Sequence, residues 1–325
     1  MKLNELLASK KCFKLVCGAG NEDAIEIEKL VALYAKAGVK FFDLCAKEEI
    51  VDAAYRGLNR VIAPDEIHNY HFCVSVGIKG DPHVSKALID NDKCVSCSIC
   101  LDDCPQNAIS NNDKFIVNKV RCIGCGKCIE TCPSKAITSY SENKPLEIVI
   151  PPLVKKGLSA IELHALGTNE QEVEEKWEIL NNSFDGLLSV CIDRSKLGNI
   201  QLIDRVKRLI SNRKPYTTIV QADGAPMSGS DDTYKTTLQT VATAEIVQNA
   251  ELPVYILLSG GTNSKTTEFA KQCEINANGV AIGSFARKIV REQIDREDFL
   301  ENQAVFEKAL EKALWLVNES LKYLG

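Results

Sequence analysis

Cys94-Val-Ser-Cys97-Ser-Ile-Cys100-Leu-Asp-Asp-Cys104-Pro105 returns, from Cys122 onward, as Cys122-Ile-Gly-Cys125-Gly-Lys-Cys128-Ile-Glu-Thr-Cys132-Pro133. Each run reads C-x2-C-x2-C-x3-C-P, and each continues into a similar tail, Gln106-Asn-Ala-Ile109 and Ser134-Lys-Ala-Ile137. The chain is 325 residues long and opens Met1-Lys2-Leu3-Asn4-Glu5, without the basic-then-apolar shape of an export signal. It is therefore expected in the cytoplasm, where thiols stay reduced and crowded cysteines read as metal ligands rather than disulfides. Zinc takes four ligands, typically from paired C-x2-C runs, and triplets closed by C-P fit it poorly. Three thiolates at this spacing wrap one face of an iron–sulfur cube. Pro105 and Pro133 turn the chain away, and Gly124 and Gly126 are expected to let backbone approach the cluster. The other six cysteines of the chain's 14 are scattered singly and read as small buried hydrophobes. Of these, Cys17, Cys45 and Cys191 end strand-like runs, so a redox-active thiol is the alternative there.

The duplicated block resembles the bacterial two-cluster ferredoxin family over about residues 85–142. In that family the last cysteine of each run serves the cluster of the other run. The resemblance implies two [4Fe–4S] clusters. One is held by Cys94, Cys97, Cys100 and Cys132, the other by Cys122, Cys125, Cys128 and Cys104.

With 81–144 set aside, strand-like runs fall at 13–17, 40–45, 71–77, 160–166, 186–192, 217–221, 253–258 and 279–282. Helical patterns separate them at 23–37, 48–58, 170–180, 200–210, 236–249 and 264–272, and a last one covers 297–324. Before the fourth strand, Pro151-Pro152 leaves room for only a short helix. Eight strands alternating with helices, in a remainder close to the roughly 250 residues of that fold, predict an α/β (β/α)8 TIM-like barrel. Its domains are 1–80 plus 145–325, with a ferredoxin-like two-cluster domain, 81–144, inserted after strand 3. An open doubly wound sheet is the alternative, but no Gly-x-Gly-x-x-Gly turn follows the first strand. An insertion after strand 3 lies on the face where barrel active sites are built.

Two loops of that face are rich in glycine. Ser259-Gly260-Gly261-Thr262-Asn263 ends strand seven, with Ser264 placed to cap the next helix, and Gly283-Ser284 ends strand eight. This is the usual phosphate site of such barrels, so flavin mononucleotide (FMN) or another phosphate-bearing small molecule is a candidate ligand. The plain alternative is a pair of tight turns. Alternation places Glu162 and His164 on one strand face, as it does Asp43 with Cys45 and Gln221 with Asp223. Facing inward, these would converge with Lys14 and Asp193 near the mouth. Lys14, Glu162, His164 and Asp223 are the catalytic candidates, with a buried ion-pair network, such as Lys14 with Asp43 or Glu162, as the competing reading.

Several segments together resemble the light-dependent period (LdpA-like) iron–sulfur family. They are Lys14-Leu-Val-Cys-Gly-Ala-Gly-Asn21, Ala37-Gly-Val39, Gln221-Ala-Asp-Gly-Ala-Pro-Met-Ser-Gly229, Ser259–Asn263 and Gly283-Ser-Phe-Ala-Arg287. The resemblance implies redox sensing or electron transfer coupled to the barrel, with a redox partner protein. The loop Ser228–Lys235 departs from the family in being acidic. The alternatives are an oxidoreductase acting on a ligand at the barrel mouth, or an electron carrier on an inert scaffold. A formal net charge of −5 argues against a nucleic-acid partner. No apolar run reaches the 18 or so residues of a membrane span.

Overall fold

The computed structural model describes residues 1–79, 81, 85–141, 144–224 and 232–325. Twelve strands follow in chain order. They are β1 Cys12–Val16, β2 Phe41–Cys45, β3 His71–Gly77, β4 Ser85–Ile89, β5 Ile109–Asn112, β6 Lys114–Val117, β7 Ile137–Ser141, β8 Ala160–His164, β9 Leu187–Ile192, β10 Thr218–Asp223, β11 Tyr255–Ser259 and β12 Gly279–Ile282. Eight of them close into a parallel barrel in the order β1-β12-β11-β10-β9-β8-β3-β2. Closure excludes the open doubly wound sheet.

Period-two alternation sorts the side chains into two populations. Phe13, Leu15, Phe42, Leu44, Val74, Ile161 and Leu163 point outward and join the core under the helices. Cys12, Phe41, Cys73, Ala160, Leu187, Ile219 and Leu257 fill the lower barrel together with Leu3, Leu6 and Leu7. Those three leucines come from a helix, Leu3–Ala8, that plugs the bottom of the barrel. Their i, i+3, i+4 spacing is the signal for it, in a segment too short to stand out in a long-window pattern. Leu7 is fully buried. Leu7→Ala should cost about 2–5 kcal/mol through the cavity it leaves, read as a lower unfolding midpoint. Asn4→Ala on the exposed face should stay within about 0.5 kcal/mol.

The helix before β8 is Leu146–Val154, with Pro151 and Pro152 inside it. It starts earlier than the prolines suggest, because Leu146, Ile150 and Leu153 form a buried stripe that outweighs the missing N–H groups.

Between β3 and β8 lie two small antiparallel sheets, β4–β7 and β5–β6. Ala87, Ile109, Phe115, Cys128 and Ile137 form their own core. The duplication is visible in the backbone. Helices Ile99–Asp102 and Lys127–Glu130 occupy matching positions, as do β5 and the start of β7. Left-handed residues match as well: Ser96 with Gly124, Ser98 with Gly126, and Asn107 with Lys135. Serine as well as glycine therefore holds the left-handed conformation at these positions. A Cβ on Gly126 would meet nothing within 4 Å, and serine holds the same conformation in the first copy. What the turn requires is positive φ. The domain junctions at 80, 82–84 and 142–143 lie outside the described residues, as does the Pro226–Gly229 motif.

Candidate functional site

The eight cysteines gather around two cavities. One is lined by Cys94, Cys97, Cys100 and Cys132, the other by Cys104, Cys122, Cys125 and Cys128. In each, the fourth cysteine comes from the other run. Ala108 N–H donates to Cys104 Sγ at 3.2 Å and Ala136 N–H to Cys132 Sγ at 3.3 Å, again at equivalent positions of the two runs. Ala87 N–H donates to Cys122 Sγ at 3.4 Å. Four sulfurs facing one cavity, with backbone N–H groups aimed at them, suit an iron–sulfur group, whose sulfurs carry negative charge. Ile123 lines the second cavity and also the barrel mouth. The quartet with Cys104 is therefore the inner one, and the quartet with Cys97, which is exposed, the outer.

The inner quartet is tied to the barrel. Lys86 Nζ donates to Gly20 O at 2.6 Å and to Cys122 O at 2.8 Å, and it pairs with Glu22 at 3.4 Å. Arg121 pairs with Asp295 and with Glu26, and Arg291 pairs with Glu26 at 2.9 Å.

Within the barrel a polar layer lies above the apolar plug. Parallel register brings Lys14, Asp43, Ser75, Glu162, Ser189 and Gln221 together. Lys14 Nζ sits 2.6 Å from Glu162 Oε2 and 3.0 Å from Asp43 Oδ2. Ser75 donates to Asp43 at 2.6 Å, and Ser189 donates to Glu162 at 2.9 Å. Burial works against the Lys14 charge, but the two carboxylates outweigh it and hold the ammonium well above its usual pKa. Burial likewise opposes ionisation of Glu162, yet Lys14 and His164 keep its pKa well below the carboxylate range. Asp43 goes the other way, because its burial exceeds what Lys14 returns. Lys14 does not line the mouth cavity; Asp43, Glu162, His164 and Asp223 do. The network reading thus describes Lys14 with Asp43 and Glu162, while Glu162, His164 and Asp223 also line the cavity.

His164 Nδ1 lies 2.9 Å from Asp81 Oδ2 and its Nε2 lies 3.3 Å from Glu162 Oε1. Burial resists the imidazolium, but both carboxylates favour it and raise the pKa well above the usual value. Asp223 is driven up to about 7 by burial, and Glu162 adds to the rise despite a hydrogen bond from Ser259. Asp193 instead accepts from Ser195 N–H at 2.7 Å and does not line the cavity. Burial pushes the Cys12 and Cys45 thiols up to about 12 and also raises Cys17, Cys73 and Cys191. Burial thus disfavours the thiolate, which argues against a nucleophilic role for Cys17, Cys45 or Cys191 in this state.

Ser259, Gly260, Gly261, Thr262, Gly283 and Ser284 all line the mouth. Asn263 does not; its amide donates to Thr233 O and Thr236 Oγ1 and braces the loop. Ser264 is not a helix cap. It donates to Asp232 at 2.6 Å, and the helix Thr266–Gln272 starts after Lys265. Gly260 is required on two counts: its φ is +66°, and a Cβ there would lie 2.7 Å from Gly224 N. Two residues of the site were not among the candidates read from the sequence, Arg287 of the mouth and Asp81, which does not line it. Asp81 meets His164 only through tertiary folding, and Arg287 projects from the helix after β12.

Residues 153–321 match the family Light dependent period A C-terminal domain, and residues 86–133 match the family 4Fe-4S dicluster domain. The chain is 28% identical over 301 residues to "Light dependent period A" of Synechococcus elongatus, covering 90% of this chain and 84% of that protein. In structure it is similar to the YdjI aldolase of Escherichia coli K12, with a TM-score of 0.51 at 8% identity, over 98% of this chain and 96% of that one. That likeness shows the barrel fold alone. No helix among the described residues is long and apolar enough to cross a membrane. The segment 153–321 holds β8 to β12, so the matched domain closes into a barrel only with β1 to β3. The chain is an iron–sulfur, redox-related protein, and it belongs to the Light dependent period A C-terminal domain family.

Proposed function

We propose that the chain is a two-cluster iron–sulfur redox protein whose outer quartet meets a redox partner and whose inner quartet is coupled to the barrel mouth. The observation carrying this reading is Ile123, the one side chain among the described residues that lines both the inner quartet's cavity and the mouth. A [4Fe–4S] group in each quartet would supply reversible one-electron chemistry. Lys86 sits where a change of charge at the inner quartet is felt first, since it bonds Cys122 O, Gly20 O and Glu22 together. Gly18, Ala19 and Gly20 line the mouth, so that change reaches the cavity through one short loop. This is the coupling that redox sensing by a family member needs. At the outer quartet, Val95 is 63% and Ile99 40% exposed beside the ligands, an apolar surface suited to a protein partner.

One observation supports a phosphate-bearing ligand, FMN included, at the mouth as well. Arg287 is 4% exposed and lines the cavity, and its Nε is buried without a partner among the described residues. It donates to Val16 O and forms no ion pair with a described carboxylate. A buried guanidinium of this kind suits an anion.

Anaerobically purified protein should hold about eight iron and eight sulfide per chain, as two cubanes require, and give EPR signals after dithionite. About four iron, or zinc in their place, would overturn the two-cluster reading.

A further inference from the structure

Independently of the clusters, the geometry points to a mononuclear divalent-metal site of the zinc class in the barrel mouth, held by Glu162, His164 and Cys191. One donor atom from each residue lies within 4.8 Å of the donor atoms of the other two. Glu162 Oε1 is 3.3 Å from His164 Nε2 and 3.2 Å from Cys191 Sγ. Zinc bonds of about 2.0–2.3 Å to such donors build a tetrahedron with edges of about 3.4 Å. Two of the three donor separations are therefore close to that spacing, and the third, between His164 and Cys191, lies within 4.8 Å. It follows from the sheet: His164 on β8 is in register with Cys191 on β9, and Glu162 lies two residues earlier on the same face.

The surroundings are those of a metal ligand set. His164 Nδ1 is held at 2.9 Å by Asp81, the carboxylate–histidine arrangement that fixes the ring for coordination through Nε2. The other oxygen of Glu162, Oε2, is taken by Lys14 and Ser189, while Oε1 accepts, besides its contacts to the other two ligands, only a 3.3 Å bond from Ser75 among the described residues. All three ligands line the mouth cavity, so a fourth coordination position opens onto it. Gln221 Oε1 and Asp223 Oδ1 line the same cavity and are buried without a partner among the described residues. Unsatisfied buried acceptors at that spot are what a hydrated cation would serve. Three protein ligands with an open fourth place mark a site that binds a substrate or water rather than a purely structural one.

Occupancy balances in charge. The proton that Cys191 shares with Glu162 and the proton between His164 Nε2 and Glu162 leave, and one dication enters. The ligand of the fourth position would be an oxygen donor, either water or an oxyanion that also reaches Arg287.

The test uses the full, cluster-loaded chain dialysed anaerobically against micromolar zinc. One zinc per chain is expected beyond the iron, with a zinc-edge X-ray absorption spectrum showing one sulfur and three nitrogen or oxygen neighbours. Cys191→Ser and His164→Ala should lose the zinc while keeping the iron and its spectrum. Asp81→Asn should weaken zinc binding by about 10–100-fold. A wild-type chain that retains no zinc would overturn the site. So would a shell of four sulfurs, which places zinc in a cysteine quartet, or zinc that survives Cys191→Ser unchanged. The iron count is read in the same sample, so failure of this site and failure of the cluster reading stay distinguishable.

Discussion

Cys104→Ser should strip the iron held with Cys122, Cys125 and Cys128 and leave the outer quartet filled, and Cys132→Ser should do the reverse. Each change should take iron from about eight to about four atoms per chain. The singles alone do not show which quartet is lost, but combinations do. Cys104 and Cys122 line one cavity, so Cys104→Ser/Cys122→Ala should lose no more iron than either single variant. Cys94 lines the other, so Cys104→Ser/Cys94→Ala should lose nearly all of it. If each run served its own cluster, the two outcomes would be exchanged. Residues that act on one site are strongly non-additive and residues on separate sites add, which makes the pattern decisive. Iron analysis with EPR after dithionite reads it. The reverse pattern would also break the argument that places the inner quartet against the mouth, because Ile123 would then border a different ligand set.

The cysteine spacing and the eight alternating segments were legible because both are local. A C-x2-C-x2-C run fixes three ligands within two turns of chain, and period-two alternation between Phe13 and Lys14 already separates helix-facing from barrel-facing residues. The polar layer was partly legible. Lys14, Asp43, Glu162 and Gln221 stood out as charges or amides on strands, while Ser75 and Ser189 did not, since serine alone carries no pattern. They matter only through register, opposite Glu162 on β3 and β9. Asp81 was out of reach for a different reason. It lies at the start of the inserted domain, outside any motif, yet it is 1% exposed and grips His164 from 83 residues away. Arg287 was quoted as part of a motif, but its role depends on Glu26 being spent on Arg121 and Arg291, a competition between distant residues. At the glycines of the second cysteine run the structure adds a backbone feature: Gly124 and Gly126 hold positive φ, as Ser96 and Ser98 do at the matching positions of the first run.

Lys14→Met should destabilise the barrel by about 3–5 kcal/mol, the usual cost of removing one partner from a buried ion pair. At about 2–4 °C per kcal/mol, the unfolding midpoint should fall by roughly 6–20 °C, compared at one scan rate. The side chain is 0% exposed and also lies over the Phe41 ring, 5.3 Å from its centre. Methionine fills nearly the same volume, so a cavity contributes little and charge dominates. The loss leaves Glu162 and Asp43 facing one another through Ser75, which bonds both. Two buried carboxylates are then left with the His164 imidazolium, which of the two faces Glu162 alone, so the pair must take up a proton or unfold the layer. Removing one charge should therefore help: Lys14→Met/Glu162→Gln should be more stable than Lys14→Met alone, although Glu162→Gln by itself removes an acceptor from Lys14, Ser189 and Cys191. That sign separates electrostatics from packing, since a packing defect at Lys14 would be unchanged or worsened by the second substitution. Equal or lower stability of the double variant would mean that Lys14 acts through its contacts with the strands and the Phe41 ring, and that the carboxylates carry no uncompensated charge.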